Sequence, residues 1–266
     1  MNDCFSQLPY ETRNLGMPAY NLQEACIQAG DESMLLAGLT GLRAEHPRFF
    51  VQARIEKAQA HRIPLVSRCG FIYVETAVTP YSQLRNNRIL QSFCTDRQQF
   101  LPGRYDLAEV AVTAVDPADQ AMIDVIRSIA AESFVDDRFH LDPFCPPTVA
   151  DHRYVCWVDD LLQSGATFTM LLVRGEPAGF MINRADYLVL AGFTRKYASG
   201  GLGDYLWLSV LENLQTAGHA TAVTQIAVNN IAVLNLYVRL GFKFKAPVAI
   251  FHLWHGSSCN QPIGEP

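Results

Sequence analysis

The sequence lacks the features that mark several large classes of protein. Its 266 residues contain no apolar run approaching the roughly 20 residues of a membrane-spanning helix, and an acid stands near its start in place of the basic segment of a secretion signal. No run of Lys and Arg exceeds two residues, and the net charge is −5, so a basic surface for nucleic acid or anionic lipid is missing. These absences predict a cytoplasmic protein with no nucleic-acid or membrane partner.

Cysteine motifs are missing as well. The seven cysteines are scattered and odd in number, and none belongs to a Cys-x-x-Cys pair. His252 and His255, near the C-terminus, have no carboxylate or thiol neighbour at the spacing of metal ligands. We therefore expect reduced, mostly buried thiols and no metal site.

The remaining composition is that of an ordinary folded protein. Hydrophobic residues make up 49% of the sequence and aromatic residues 11%, which excludes disordered, collagen-like and coiled-coil chains. The length suits two small domains. A polar stretch ending at Pro102-Gly103 predicts a boundary near Gly103, with a small N-terminal α/β domain over 1–103 and a second domain over 104–266.

The second domain shows a distinctive order of elements. Three short apolar segments at 168–173, 178–183 and 187–194 are separated by turn residues and predict an antiparallel meander. Helical patterns at 202–217 and 231–240 follow, with a strand between them and one or two strands after them.

A glycine-rich turn, Ser199-Gly200-Gly201-Leu202-Gly203, lies between a predicted strand and a predicted helix. Closely spaced glycines let backbone N–H groups approach a ligand, and the N-terminus of the following helix is partially positive. The third glycine of a dinucleotide fingerprint and the Lys-Ser/Thr pair of a P-loop are absent. The pattern favours a phosphate-binding turn, and an ordinary glycine-rich turn is the alternative.

A second signal starts at Asn230, which is a good helix N-cap. Tyr237 follows two helical turns later, on the same side of the helix. A helical tyrosine is usually packed in a core, and the alternative is a catalytic acid.

Together these segments resemble the GNAT superfamily of acyl-CoA N-acyltransferases over 107–254. The resemblance implies an α/β (α+β) fold with a central mixed, mostly antiparallel sheet flanked by helices, preceded by a smaller GNAT-like domain. It also implies acetyl-CoA as cosubstrate and no metal. Ala198 departs from the Gln or Arg usual at that position, which weakens side-chain support for the cofactor's pyrophosphate. The implied cofactor-binding residues are Phe193, Thr194, Ser199, Gly200, Gly201, Leu202, Gly203, Asn230 and Asn235.

Segments at 8–16, 69–75, 131–140 and 154–157 are similar to those of the dTDP-fucosamine acetyltransferase group. This resemblance implies a small-molecule primary amine as acceptor, on a nucleotide-linked amino sugar, and it leaves a homodimer open. Tyr10, Arg138 and His140 are the implied substrate-binding residues. Tyr10 replaces a more usual Trp, His140 has simple solvation as its alternative, and Asp136 and Asp137 are alternative partners for Arg138.

The implied chemistry is direct attack of the amine on the thioester in a ternary complex. Glu75 is the candidate base that removes the ammonium proton, a contribution of about 10²–10⁴-fold, and an exposed strand acid is its alternative. A backbone N–H within 192–194 would stabilise the oxyanion. Tyr237 would protonate the leaving thiolate.

Two other functions stay open at this point. One keeps the fold and uses another acyl-CoA or a carrier-bound acyl donor in secondary metabolism. The other is a non-catalytic CoA-binding regulatory domain, which predicts that replacing Tyr237 by Phe affects only stability.

Overall fold

The computed structural model describes residues 4–134 and 137–256. The strands within these ranges are β1 (Phe5–Gln7), β2 (Ala19–Leu22), β3 (Phe49–Glu56), β4 (Ile72–Gln83), β5 (Val110–Val115), β6 (Thr167–Val173), β7 (Glu176–Arg184), β8 (Tyr187–Phe193), β9 (Thr221–Val223), β10 (Ile226–Ala227) and β11 (Lys243–His255). The α-helices are α1 (Pro9–Leu15), α2 (Glu24–Ala29), α3 (Glu32–Glu45), α4 (Ile63–Arg68), α5 (Arg88–Thr95), α6 (Gln120–Ser133), α7 (Pro147–Gln163), α8 (Gly203–Thr216) and α9 (Ile231–Arg239). The predicted α/β class is confirmed.

The described residues divide into two units. Unit 1 contains residues 4–77, 137–150 and 246–256, and unit 2 contains residues 78–134 and 151–245. The expected boundary near Gly103 therefore lies inside unit 2. The stretch before it has a polar sequence, yet Leu84, Leu90 and Phe93 are fully buried in the unit 2 core. Helix α5 is amphipathic, with buried apolar residues on one side and exposed polar residues on the other. The polar residues give the segment a polar average composition, which is why it resembled a linker.

Unit 1 is built on strands in the order β1-β2-β3-β11-β4. β2 runs parallel to β3, and β3 runs antiparallel to β11. One face of this sheet, with Val51, Ala53 and Phe251, packs in the same core as α2, α3 and α4. Because side chains alternate along a strand, the opposite face of β3 and β11 carries Gln52 and His252, which are directly paired across the two strands.

Unit 2 is built on strands in the order β4-β9-β8-β7-β6-β5. The predicted meander of β6, β7 and β8 is antiparallel. β5 adds an antiparallel strand next to β6, and β8 and β9 form a parallel pair. Helices α6 and α7 pack in one core with Phe168 and Phe180, and α5, α8 and α9 pack in another with Leu171 and Met181. The sheet is therefore mixed, mostly antiparallel and flanked by helices, as expected.

Cys4 and Cys26 form a disulfide between the start of β1 and helix α2, with Cα atoms 5.5 Å apart. The expectation that all the thiols are reduced is wrong for this pair. The two cysteines stand 22 positions apart without a recognisable motif, so their spacing did not reveal the pairing. Within the described ranges, no helix combines the length and the apolar character needed to cross a bilayer.

Asn87 links α5 to the end of α9. Its Oδ1 accepts from the N–H groups of Ile89 and Leu90, and its Nδ2 donates to the Leu240 carbonyl at 2.8 Å. The side chain is both an N-cap and the partner of a carbonyl in a buried setting.

We expect Asn87→Ala to lower the free energy of unfolding of the chain by about 2–4 kcal/mol, because it removes the cap and leaves the Leu240 carbonyl without its donor. Asn86→Ala, at the exposed neighbouring residue, is the matched control and should change it by less than about 0.5 kcal/mol. Urea unfolding measures both, and equal effects would contradict this role of Asn87.

Candidate functional site

The parallel strands β8 and β9 pair at one position only, Tyr187 with Val223. The chain then leaves the edge of β8, and Thr224 Oγ1 donates to the Leu188 carbonyl at 2.7 Å. β8 continues to Phe193, and no other strand of the described chain pairs with this edge. The separation leaves an open strand edge beside the glycine-rich turn that follows β8.

The direction of the N–H groups on β8 follows from its pairing with β7. The Thr194 N–H donates to the Ala178 carbonyl at 3.0 Å, so it faces β7. Since successive residues of a strand point their N–H groups to opposite sides, those of Ala191 and Phe193 face the open edge. The sequence predicted an oxyanion donor among the backbone N–H groups of residues 192–194. Of these three, the Phe193 N–H is the one that points away from β7.

Three aromatic rings connect the end of β8 to α9. The Phe193 and Trp207 rings are stacked at 6.3 Å, and Trp207 meets Tyr237 edge to face at 6.3 Å. One buried polar atom of this region, Thr194 Oγ1, has no hydrogen-bond partner among the described residues. Buried polar groups are normally paired, so this hydroxyl is a candidate contact for a bound polar group.

Tyr237 is only 3% exposed, and its ring also packs edge to face on Phe242 at 4.8 Å. Burial raises the pKa of Tyr237 to about 12, and the nearby Trp207 and Thr224 side chains offset part of that rise. The phenol is therefore protonated at neutral pH and can donate a hydrogen bond.

The glycine-rich turn leads directly into α8. Gly201 has a φ of +75°, and a Cβ at Gly200 would lie 2.8 Å from the Tyr197 carbonyl oxygen, so both positions require glycine. Leu202 occupies the N-cap position without a side-chain cap. The first backbone N–H groups of α8 are consequently available to an anion.

Arg104 supplies a positive charge at this turn. Its Nη2 donates to the Gly200 carbonyl at 2.7 Å, and its side chain is exposed to solvent. Ala198, where the sequence lacks the usual Gln or Arg, is also exposed. Sequence reasoning missed Arg104, because 96 positions separate it from Gly200 and no motif joins them.

Asn230 and Asn235 both belong to the α9 region. Asn230 Oδ1 accepts from the Val233 N–H at 3.2 Å, which confirms its predicted capping role. Asn235 is exposed on the helix surface.

Solved structures similar to this chain include several N-acetyltransferases. A GCN5-related N-acetyltransferase from Sphaerobacter thermophilus matches 94% of this chain and 76% of its own, with a TM-score of 0.62 and 12% identity. A tandem GNAT protein from the clavulanic acid biosynthesis pathway matches 90% of this chain and 76% of its own, with a TM-score of 0.58 and 12% identity. The chain has the GNAT fold.

At the sequence level, no family model matches the chain. The spore coat polysaccharide biosynthesis protein SpsD of Bacillus subtilis (strain 168) is 23% identical over 149 residues. These residues make up 54% of this chain and 52% of that protein, so the match spans about half the length of the curated relative.

The acceptor-side residues expected from the sequence all lie in unit 1. Glu75, on β4, is 6% exposed, which excludes the alternative of an exposed strand acid. Tyr10 is half-buried on α1, with the Arg13 guanidinium 5.4 Å from its ring centre.

Arg138 and His140 each contact a different carboxylate. Arg138 Nη2 lies 3.3 Å from Glu11 Oε1, so its partner is on α1. His140 Nδ1 lies 2.5 Å from Asp137 Oδ2, and its side chain is only 10% exposed, so it is not a solvated loop histidine. Asp136, the other alternative partner of Arg138, lies outside the described residues.

His252 has a carboxylate partner that is distant in the sequence. Its Nδ1 lies 2.7 Å from Asp142 Oδ2, and both side chains are fully buried. The two residues stand 110 positions apart, so sequence spacing could not show the pair.

The raised pKa of Tyr237 has a consequence at high pH. Because an ordinary tyrosine titrates near 10, we expect the ¹³Cζ resonance of Tyr237 to keep its neutral-phenol shift up to about pH 11. NMR of ring-labelled protein tests this, with Tyr237→Phe to assign the resonance. Titration of that resonance near pH 10 would contradict the buried environment.

Proposed function

We propose that the chain is an acyl-CoA-dependent N-acyltransferase that acetylates the primary amine of a small molecule. The open edge of β8 beside the glycine-rich turn is the observation that carries the proposal. It brings backbone donors, an uncapped helix N-terminus and a protonated phenol into one unit.

The residues of unit 2 fit the phosphate and thioester portions of acetyl-CoA. The α8 N-terminus and Arg104 offer N–H donors and positive charge to phosphate groups. Thr194 Oγ1 is a buried polar atom for which a bound polar group would provide a partner. Acetyl-CoA supplies the activated thioester, and the chain supplies groups that bind and polarise it.

Each candidate catalytic group then has a defined task. The Phe193 N–H, directed away from β7, donates to the carbonyl oxygen as negative charge develops there. Tyr237 donates a hydrogen bond to the departing thiolate. Complete proton transfer is less favourable, because a phenol pKa of about 12 exceeds the roughly 8.5 of a thiol by ~3.5 units, or ~5 kcal/mol. Glu75 takes up the proton of the acceptor ammonium.

An amino sugar carried by a nucleotide is the acceptor that we propose. The similarity to a spore coat polysaccharide biosynthesis protein supports a role in sugar metabolism. A further support is the resemblance of 131–140 and 69–75 to sugar-amine acetyltransferases.

Cofactor affinity tests the phosphate site. We expect the chain to bind acetyl-CoA with micromolar Kd and Arg104→Ala to weaken binding about tenfold, through loss of one charge-assisted contact. Affinity for S-acetylpantetheine, which has no nucleotide phosphates, should stay unchanged.

Calorimetry measures these affinities, with Arg88→Ala, at an exposed arginine on α5, as the control. Equal losses for acetyl-CoA and S-acetylpantetheine would place Arg104 away from the phosphates. Absence of acetyl-CoA binding would exclude the proposed function.

Removal of the phenol tests the catalytic role. Tyr237→Phe should lower kcat by about 10²-fold, since the leaving group loses its hydrogen-bond donor, and should leave the Kd of acetyl-CoA within twofold. Tyr205→Phe, at another tyrosine buried in the same core, is the matched control. If both variants keep full activity, Tyr237 is a packing residue only.

A further inference from the structure

The C-terminal end of helix α6 lies against the end of β8. Ser133 is the last residue of α6, and its Oγ lies 3.2 Å from the Phe193 carbonyl oxygen. A Cβ on Gly192 would lie 2.7 Å from this Oγ and 3.1 Å from the Ser133 Cβ, so glycine at position 192 makes room for the hydroxyl beside the strand. All three residues belong to unit 2. The proposed chemistry assigns no task to Ser133.

The Phe193 carbonyl points to the open edge of β8. In an antiparallel pair, the N–H and C=O groups of one residue point to the same side of the strand, and the Phe193 N–H points away from β7. The carbonyl therefore points away from β7 too, towards the side where no strand of the described chain pairs beyond Tyr187. Ser133 and Phe193 are only half-buried, so solvent reaches this end of the edge.

The Ser133 hydroxyl has one proton and two carbonyls within reach. Its Oγ lies 2.6 Å from the Ile129 carbonyl oxygen, one helical turn back in α6, and 3.2 Å from that of Phe193. One proton serves one of them at a time, and the shorter contact is the stronger bond. With the proton on the Ile129 side, Ser133 Oγ and the Phe193 carbonyl are two neighbouring acceptors. Such a pair favours a group that brings two N–H donors, above all a cationic one.

We propose that Ser133 Oγ and the Phe193 carbonyl bind the attacking nitrogen of the acceptor, which makes Ser133 a residue that selects a primary amine over a secondary amine. The inference rests on the proposed function. A primary ammonium has three N–H protons, of which one goes to the base and two remain for the two oxygens. A secondary amine that has lost its proton keeps one N–H and fills one oxygen only.

Phe193 then orients both reactants. Its N–H donates to the thioester oxygen in the proposed function, and its carbonyl accepts from the nitrogen on the same edge of the strand. The nitrogen is therefore held beside the carbon that it attacks. The N–C bond forms, the C–S bond breaks with its electron pair on the departing thiolate, and one proton of the nitrogen passes to the base.

Ser133→Ala tests the selection, because it removes one of the two acceptors and places a good helix former at the end of α6. The kcat/KM for glucosamine should fall about tenfold, as expected for one lost hydrogen bond to a charged group. The kcat/KM for the N-methyl derivative of glucosamine should fall less than threefold. The wild-type preference for the primary amine should therefore shrink, and the Kd of acetyl-CoA should stay within twofold.

Ser209→Ala is the matched control. Ser209 Oγ also donates to the carbonyl one turn back in its helix, that of Tyr205 at 2.8 Å, and Ser209 lies in α8 of the same unit. The variant removes the same kind of bond within a helix and leaves Ser133 in place. It should change the preference between the two amines by less than twofold.

The outcomes separate this inference from the proposed function. Equal kcat/KM for the two amines in the wild type, an unchanged preference in Ser133→Ala, or the same loss in Ser209→Ala would overturn the inference. Failure to bind acetyl-CoA or to acetylate either amine would exclude the proposed function. Saturation-transfer NMR with glucosamine alone then decides the inference, since it needs no acetyl transfer. A wild-type signal that Ser133→Ala loses and Ser209→Ala keeps supports it, and no wild-type signal overturns it.

Discussion

The separation of β8 from β9 after a single pair is the constraint on which the unit 2 site depends. A strand edge inside a folded unit cannot stay unsatisfied, so the chain fills part of it with side chains. Thr224 Oγ1 donates to the Leu188 carbonyl, and Ser133 Oγ lies 3.2 Å from the Phe193 carbonyl. These two contacts give hydrogen-bond partners to the carbonyl oxygens of Leu188 and Phe193. In the proposed function, the N–H donors of the same edge bind the substrate, because a developing oxyanion requires hydrogen-bond donors.

Packing beside that edge decides what Tyr237 can do. The phenol is enclosed by Trp207 and Phe242, so its ionised form is excluded from water and its pKa rises. This packing makes the Tyr237 phenol a weak acid, so the hydroxyl stays protonated at neutral pH. The packed ring also holds the hydroxyl in one direction. Core tyrosine and functional tyrosine were competing interpretations of the sequence. The structure shows that burial itself is compatible with both, since a buried phenol near a substrate is a preorganised hydrogen-bond donor.

The sequence predicted the elements that depend on nearby residues and did not predict contacts between distant parts of the chain. Apolar periodicity and capping residues located α8, α9, the β6–β8 meander and the glycine-rich turn, because those elements are determined by neighbours within a few residues. Arg104 at Gly200, Asp142 at His252 and the Cys4–Cys26 disulfide all join distant parts of the chain. Nothing in the residues around either partner specifies such a contact. The GNAT resemblance supplied the candidate cofactor residues but none of these three long-range contacts.

Arg104 also shows why a missing motif residue is weak evidence against a function. A phosphate site needs backbone donors at a helix N-terminus and positive charge within a few ångströms, and it does not matter which segment delivers the charge. The carbonyl of Gly200 holds the Arg104 guanidinium through one N–H and leaves its other donors available. Ala198 can therefore lack a charged side chain, because Arg104 places a positive charge at the turn. The glycines cannot be replaced so freely, because the close Tyr197 carbonyl and a positive φ are conditions on the backbone itself.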